Sequence, residues 1–188
     1  MTSPHPYLKS KWEHFFYMFL DTNKNKVIDW NDFEILFDKI KETRGETSNE
    51  YKIVSDAMRA VWKGLQHEIK GLDIAAQEDQ DATISVAEWN KMWEKYDPKH
   101  MQIWQWEYLK YMFFIMDTNG DKYIDKEEYA VVLEMYGIGK KEAFESFDKM
   151  REGTKDDKIN WGEFVRFWNE YFTAPDRKSP GNWLFGPW

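Results

Sequence analysis

A short acidic, asparagine-rich segment interrupts an amphipathic helical pattern four times along this chain. Each interruption leads into an isoleucine, and an acidic residue stands four positions after that isoleucine. The four isoleucines are Ile28, Ile84, Ile124 and Ile159. Such an internal repeat indicates one supersecondary unit used four times. We interpret the unit as helix, loop, helix, and four units predict two pairs in an all-α fold.

Apolar residues at helical spacing flank each interruption, as expected for two amphipathic helices around a loop. In the first unit one apolar stripe lies within residues 12–20 and another within residues 33–40. Aromatic residues make up 18% of the chain, so we expect a compact molecule with a core built around rings. The polar segment 41–50 is interpreted as a loop that joins the first two units.

The dipeptide Asp97-Pro98 is the best break between the two pairs, because proline restricts the residue before it and cannot donate in a helix. We therefore predict an N-terminal pair in residues 1–96 and a C-terminal pair in residues 97–173. Residues 174–188 contain three Pro and two Gly and are predicted as an irregular tail. The tail is apolar at Trp183, Leu184, Phe185 and Trp188, so we expect it to dock on the helical body.

The composition excludes several classes of function. A formal net charge of -8 with no basic patch disfavours nucleic acid and anionic membranes as partners. The chain has no cysteine, which excludes disulfides and thiolate chemistry. No apolar stretch approaches the roughly 18 residues of a membrane span, and the N-terminus has no signal-peptide pattern. We expect a cytoplasmic protein, long enough to be stable as a monomer.

The third interruption, residues 117–128, matches the oxygen-ligand pattern of a 12-residue calcium loop, the EF-hand loop. Such a loop uses positions 1, 3, 5, 7 (through a main-chain carbonyl), 9 and 12. The residues at these positions are Asp117, Asn119, Asp121, Tyr123, Asp125 and Glu128. Position 6, where glycine normally makes a left-handed turn, is Lys122. A non-glycine residue there costs about 1–2 kcal/mol, so weakened binding is expected.

The first interruption, residues 21–32, matches the same pattern with one change. Its ligand positions are Asp21, Asn23, Asn25, Val27, Asp29 and Asp32, and Lys26 again stands at position 6. Closure by aspartate instead of glutamate shortens the reach of the last ligand and favours the six ligands of magnesium. We predict a mixed calcium and magnesium site.

The second and fourth interruptions depart further from the pattern. Residues 77–88 offer Gln77, Asp79, Asp81, Thr83, Ser85 and Glu88, with a neutral amide at position 1. This loop is left open as a third site. Residues 152–163 have Glu152 at position 1 and Thr154 at position 3, so we predict a structural partner without metal. Two or three calcium ions follow from this ranking.

The arrangement resembles the invertebrate sarcoplasmic calcium-binding proteins and their relative calexcitin. The resemblance rests on Asp-x-Asn-x-Asn-x-Val-Ile-Asp-Trp-x-Asp-Phe at 21–33, Glu88-Trp89 with Met92-Trp93, Asp-Lys-x-Glu-Tyr at 125–129, the degenerate fourth loop, and Gly181-Asn182-x-Leu184-Phe185-Gly186. It implies four EF-hands packed into one compact all-helical molecule with two or three working sites.

No motif for catalysis is found. The four histidines are scattered, and no phosphate-binding or nucleophile motif occurs. A light-emitting relative or an enzyme subunit would need a buried pocket for an organic ligand, which nothing here demands. We expect a cytosolic calcium buffer, because a docked tail would fill the groove that a sensor keeps for its partner. The alternative is a calexcitin-like sensor that changes conformation and binds a partner protein.

Overall fold

The computed structural model describes residues 5–187, without the side chains of residues 43 and 44; Trp188, predicted as part of the apolar tail, lies outside it. Eight α-helices are present in this range. They are α1 (Pro6–Phe15), α2 (Trp30–Arg44), α3 (Asn49–Lys70), α4 (Val86–Glu94), α5 (Ile103–Met116), α6 (Lys126–Met135), α7 (Lys140–Arg151) and α8 (Trp161–Thr173). A π-helical turn, Phe16–Leu20, extends α1, and a 3-10 turn, Pro180–Trp183, lies in the tail. The predicted all-α fold is confirmed.

Short strands join the loops in pairs. They are β1 (Val27–Ile28), β2 (Ile84–Ser85), β3 (Tyr123–Ile124) and β4 (Ile159–Asn160). Strand β1 pairs antiparallel with β2, and β3 with β4. Ile28 is opposite Ile84, Ile124 is opposite Ile159, and all four isoleucines are fully buried. The isoleucine that fixes the register of each loop is therefore the residue that joins it to its partner.

Each loop ends in a reciprocal cap for the helix that leaves it. In α6, the Asp125 side chain accepts a hydrogen bond from the Glu128 N–H, and the Glu128 carboxylate accepts one from the Asp125 N–H. The same reciprocal arrangement, called a capping box, begins three other helices: Asp29 and Asp32 in α2, Ser85 and Glu88 in α4, and Asn160 and Glu163 in α8. Satisfying these N-terminal donors holds positions 9 and 12 of every loop against the start of the following helix.

The connection between the first two units is shorter than predicted. Helix α2 continues to Arg44, and α3 begins at Asn49 with a Ser48 cap. The polar residues at 41–44 are compatible with helix, and only Gly45, at φ 86°, ends it. The predicted loop over residues 41–50 is therefore wrong at both ends.

The chain divides into two packed units. One is Phe15–Tyr111 and contains the first and second loops. Its core is aromatic: Trp89 lies between Phe15, at a centroid distance of 6.0 Å, and Trp104, at 5.5 Å. Gly64 of α3 allows the Trp104 backbone to approach, since a Cβ there would lie 2.6 Å from Trp104 Cβ.

Among the described residues, the other unit consists of residues 5–14 and 112–187, and contains the third and fourth loops. The tail packs into it: Leu184 and Phe185 are fully buried. The Phe185 ring meets Tyr171 edge-on at 5.0 Å, and the Tyr129 hydroxyl donates to the Trp183 carbonyl at 2.8 Å. The boundary between residues 96 and 97 stays a prediction. Within residues 5–187, no helix is both long and apolar enough to cross a membrane.

Candidate metal-binding loops

The third loop collects its oxygen atoms through hydrogen bonds along its own backbone. Asp117 Oδ2 accepts from the Lys122 N–H at 3.1 Å, and Asp121 Oδ1 accepts from the Tyr123 N–H at 2.9 Å. Glu128 closes the loop by accepting from the Asn119 N–H at 3.2 Å. The loop is thus folded back on itself in the order that the ligand pattern requires.

One oxygen atom of this loop is left unsatisfied. Asp117 Oδ1 is buried and accepts no hydrogen bond from the residues that the structure describes. A buried carboxylate oxygen without a donor is costly unless a cation is supplied. Asp117 stands at position 1 of the calcium pattern. Both the orphaned oxygen and the chemistry of the donor set therefore fit a hard divalent cation.

The first loop repeats this arrangement. Asp21 Oδ2 accepts from the Lys26 N–H at 3.1 Å, as Asp117 does from Lys122. Asp21 and Asp32, at positions 1 and 12, are both buried. Burial raises the pKa of the Asp32 carboxyl to about 6, as expected for a carboxylate withdrawn from water. A cation held between the two carboxylates would stabilise their ionised forms.

The first and third loops also share an unusual backbone conformation. The non-glycine residues with positive φ in the described chain are Lys24, Lys26 and Lys122, at 61°, 72° and 68°. Lys26 and Lys122 occupy position 6, where the pattern calls for a left-handed turn. Position 4 is left-handed in both loops as well, at Lys24 and at Gly120. Lys26 and Lys122 therefore adopt the left-handed conformation that glycine normally takes at position 6.

The second loop is held differently. Lys70, the last residue of α3, places Nζ 2.5 Å from Glu88 Oε1. The hydrogen bond from Lys70 lowers the pKa of Glu88 to about 2. The Asp79 carbonyl accepts from Trp62 at 3.2 Å and also from Gln66 of α3. The position-12 carboxylate of this loop already has a protein cation as its partner.

The fourth loop has such a partner too. Arg151 Nη1 lies 2.7 Å from Glu163 Oε1, and the guanidinium also donates twice to the Asp156 carbonyl. Glu152, at position 1, is exposed and pairs instead with Lys149 at 3.5 Å. The ligand residues of this loop do not fit a metal, because Glu152 is exposed and paired with Lys149, and Arg151 already supplies a cation to Glu163.

The four loops thus fall into two kinds. Among the described residues, Asp32 and Glu128 form no salt bridge and accept only from N–H and hydroxyl groups of their own loops. Glu88 and Glu163 each bind a basic side chain from the preceding helix. Sequence reasoning missed both basic residues. Arg151 stands directly before its loop and Lys70 seven positions before its own, but neither position shows which carboxylate the side chain reaches.

The loop carboxylates do not meet at a single point. In the part of the chain that the structure describes, no group of three acidic, histidine or cysteine side chains forms a ready-made metal cluster. The ligand positions of the first and third loops also include neutral oxygen donors, among them the amides of Asn23 and Asn119 and the main-chain carbonyl of Tyr123. Amide and carbonyl oxygens are part of a normal calcium loop.

Paired helix–loop–helix units, joined by two-residue strands at position 8 and capped at positions 9 and 12, define the EF-hand class of proteins. The chain is 30% identical over 190 residues to Calexcitin-1 of Caenorhabditis elegans, and this alignment covers 96% of the chain and 87% of that protein. It is also 31% identical over 128 residues to sarcoplasmic calcium-binding proteins I, III and IV of Branchiostoma lanceolatum, covering 64% and 65%. The chain therefore belongs to the family of calexcitin and the sarcoplasmic calcium-binding proteins. No protein-family model matches it.

Solved structures show the same fold. A sarcoplasmic calcium-binding protein from amphioxus superposes with a TM-score of 0.78 at 23% identity, covering 97% of each chain. The calcium-loaded apo form of the coelenterazine-binding protein from Renilla muelleri superposes with a TM-score of 0.67 at 16% identity, covering both chains fully. The predicted resemblance is thus confirmed for sequence and fold.

Proposed function

We propose that this protein is a cytoplasmic calcium buffer that binds ions in the first and third loops and performs no chemistry on a substrate. The proposal of calcium is supported by the family and by the buried, unpaired oxygen of Asp117. The ligands would be Asp21, Asn23, Asn25, Val27, Asp29 and Asp32 in the first loop, and Asp117, Asn119, Asp121, Tyr123, Asp125 and Glu128 in the third. Magnesium competes at the first loop, where Asp32 closes the site.

The second loop is proposed as a weak third site. Its ligands would be Gln77, Asp79, Asp81, Thr83, Ser85 and Glu88, and an ion must first displace Lys70 from Glu88. Gln77 contributes no charge to offset that displacement. Because of this competition, we expect two ions to be bound at ordinary calcium concentrations and a third only at high concentrations.

The observation that favours a buffer is the buried tail. Leu184 and Phe185 fill an apolar space in their unit and are tied there by the Tyr129 hydroxyl. Gly181 allows this approach, because a Cβ at that position would lie 2.4 Å from the Phe167 carbonyl oxygen. A segment of the chain thus occupies apolar surface that a sensor would present to a partner.

Calorimetric titration with calcium tests the sites. Glu128→Gln should remove the tightest binding event, while Glu127→Gln, at the exposed neighbouring position, should leave it unchanged. Asp21→Asn should remove a separate event whose apparent affinity falls when magnesium is added. High-affinity binding that survives Glu128→Gln would exclude the third loop, and an event at the first loop that magnesium does not weaken would exclude the mixed site.

A hydrophobic dye separates buffer from sensor. The intact protein should show little calcium-induced dye fluorescence, because the tail remains docked. Gly181→Ala, which cannot dock the tail without a shift of the α8 backbone, should bind dye strongly. Gly139→Ala is the matched control, since its Cβ would meet only the end of a flexible Glu142 side chain at 3.3 Å. Strong calcium-induced dye binding by the unmodified protein would instead support the calexcitin-like sensor.

A further inference from the structure

Arg151 is the last residue of α7 and is largely buried next to the fourth loop. Its guanidinium makes three hydrogen bonds across that loop. Nη1 donates to Glu163 Oε1 at 2.7 Å, while Nε and Nη2 donate to the Asp156 carbonyl at 3.0 and 2.9 Å. Asp156 is at position 5 and Glu163 at position 12, so one side chain joins the middle of the loop to its end.

These are chain positions that a calcium ion joins in a working loop. The main chain of Arg151 takes part as well, because its carbonyl accepts from the Thr154 hydroxyl at 2.8 Å. Thr154 stands at position 3, so the start of the loop is tied to the same residue. Positions 3, 5 and 12 are thereby connected through Arg151 without any ion.

The charges agree with this arrangement. Burial acts to raise the pKa of Glu163, but hydrogen bonds from Arg151 and the Asn160 N–H, with the Arg151 charge, lower it overall. A planar guanidinium is always protonated, and its fork of donors can serve a carboxylate and a carbonyl together. It therefore supplies a permanent positive charge where the loop would otherwise need a metal.

We propose that the Arg151 guanidinium replaces the metal ion of the fourth loop, and so holds strand β4 against β3 in the absence of calcium. Ile159 and Ile124 pair across these strands, and the latter lies inside the third loop. The third loop is then paired with an ordered fourth loop whether or not calcium is bound. Binding of calcium to the third loop does not have to supply the free energy of ordering the fourth.

Hydrogen exchange of the strand amides in chelator tests this proposal. Arg151→Met should lower the protection of the β3–β4 amides by roughly tenfold or more, since local opening becomes easier. The β1–β2 amides, in the other unit, should be unaffected. Lys155→Met removes the same charge at an exposed position of the same loop and should leave both strand pairs protected.

Calcium titration adds a readout that loss of stability alone would not produce. In Arg151→Met the affinity of the third loop should fall several-fold, and the number of bound ions should stay the same, because Glu152 and Thr154 are poor ligands. Arg151→Lys should give intermediate protection, since an ammonium lacks the planar fork that bonds Glu163 and Asp156 together.

Three results would overturn the proposal. Protection of β3–β4 in Arg151→Met equal to that in Lys155→Met would show that the guanidinium does not hold the strands. An additional calcium ion bound by Arg151→Met would show that the arginine blocks a competent site instead of replacing one. If Arg151→Met does not fold, wild-type protection in Arg151→Lys decides against the guanidinium. The exchange is measured in chelator, so its outcome is separate from calcium binding by the first and third loops.

Discussion

The ammonium of Lys158 lies 2.6 Å from Asp121 Oδ2, so a lysine of the fourth loop holds a carboxylate of the third. Asp121 stands at position 5 of the proposed calcium loop, and Lys158 at position 7 of its partner. The hydrogen bond from Lys158 lowers the pKa of Asp121. A calcium ion that uses Asp121 must compete with this contact and must also bind close to a positive charge.

Replacing Lys158 should therefore strengthen calcium binding by the third loop. Because the pair is exposed, we expect Lys158→Met to lower the Kd by only about two- to fivefold, and by less at high salt. Calorimetric titration at two ionic strengths measures this effect. Lys155→Met removes an equal charge from the same loop without a contact to Asp121. If calcium affinity rises equally in that variant, the effect comes from the change in net charge and not from the contact.

Lys70 should act in the same sense on the second loop. With its ammonium removed from Glu88, the carboxylate is free to serve an ion, so Lys70→Met should bind calcium at the second loop roughly two- to fivefold more tightly. Titration over a wide calcium range would show the weak third event moving to lower concentration. Lys52→Met, an exposed position on the same helix, controls for the change in net charge. A third event that is unchanged relative to that control would contradict the competition.

The sequence predicts the loops well because their positions are set by local rules. Ile28, Ile84, Ile124 and Ile159 fix the register, and the residues at positions 9 and 12 form helix caps within four residues of one another. The basic partners are not local in this sense. Three basic side chains illustrate this: Lys70, Arg151 and Lys158. The carboxylate that each one reaches depends on how the helices and strands pack, and the local sequence pattern does not predict that packing.

The same distinction explains the error between α2 and α3. The polarity of residues 41–50 predicts a loop, but polar residues with good helix propensity extend a helix as readily as they form a connection. Only Gly45 and Ser48 mark the real boundaries. A single glycine followed by a capping serine is therefore a better signal of the helix boundaries than the polarity of the whole segment.

Glycine usually lowers stability relative to alanine, but at position 122 we expect the opposite, because Lys122 lies in a left-handed turn. Its φ is 68°, which costs a residue with a Cβ about 1 kcal/mol. In chelator, Lys122→Gly should therefore be more stable than Lys122→Ala by about 1 kcal/mol, as measured by urea unfolding. Both variants lose the charge, so their difference isolates the backbone. Lys155, whose φ is not positive, provides the opposite expectation: there the alanine variant should be the more stable one.

Lys11 links the first helix to the tail and should make stability depend on pH. Its side chain is fully buried, and Nζ donates to the Ala174 carbonyl at 2.7 Å and to Asn182 Oδ1 at 2.8 Å. Burial lowers the pKa of Lys11 to about 8. Between pH 8 and roughly 10.4, the ordinary pKa of lysine, the unfolded chain binds more protons than the folded one, so the contribution of Lys11 to the free energy of unfolding rises with pH.

We expect the difference in unfolding free energy between wild type and Lys11→Met to grow by up to about 2 kcal/mol from pH 7.5 to pH 9.5. Urea unfolding at fixed free calcium measures it. The range stops there because burial raises the pKa of Tyr171, so ionisation of this tyrosine in the unfolded chain lowers stability near pH 10. Lys9→Met, two residues away in the same helix at an exposed position, should show no such growth. A difference that shrinks as pH rises would mean that the hydrogen bonds to Ala174 and Asn182 hold the ammonium form more strongly than burial opposes it.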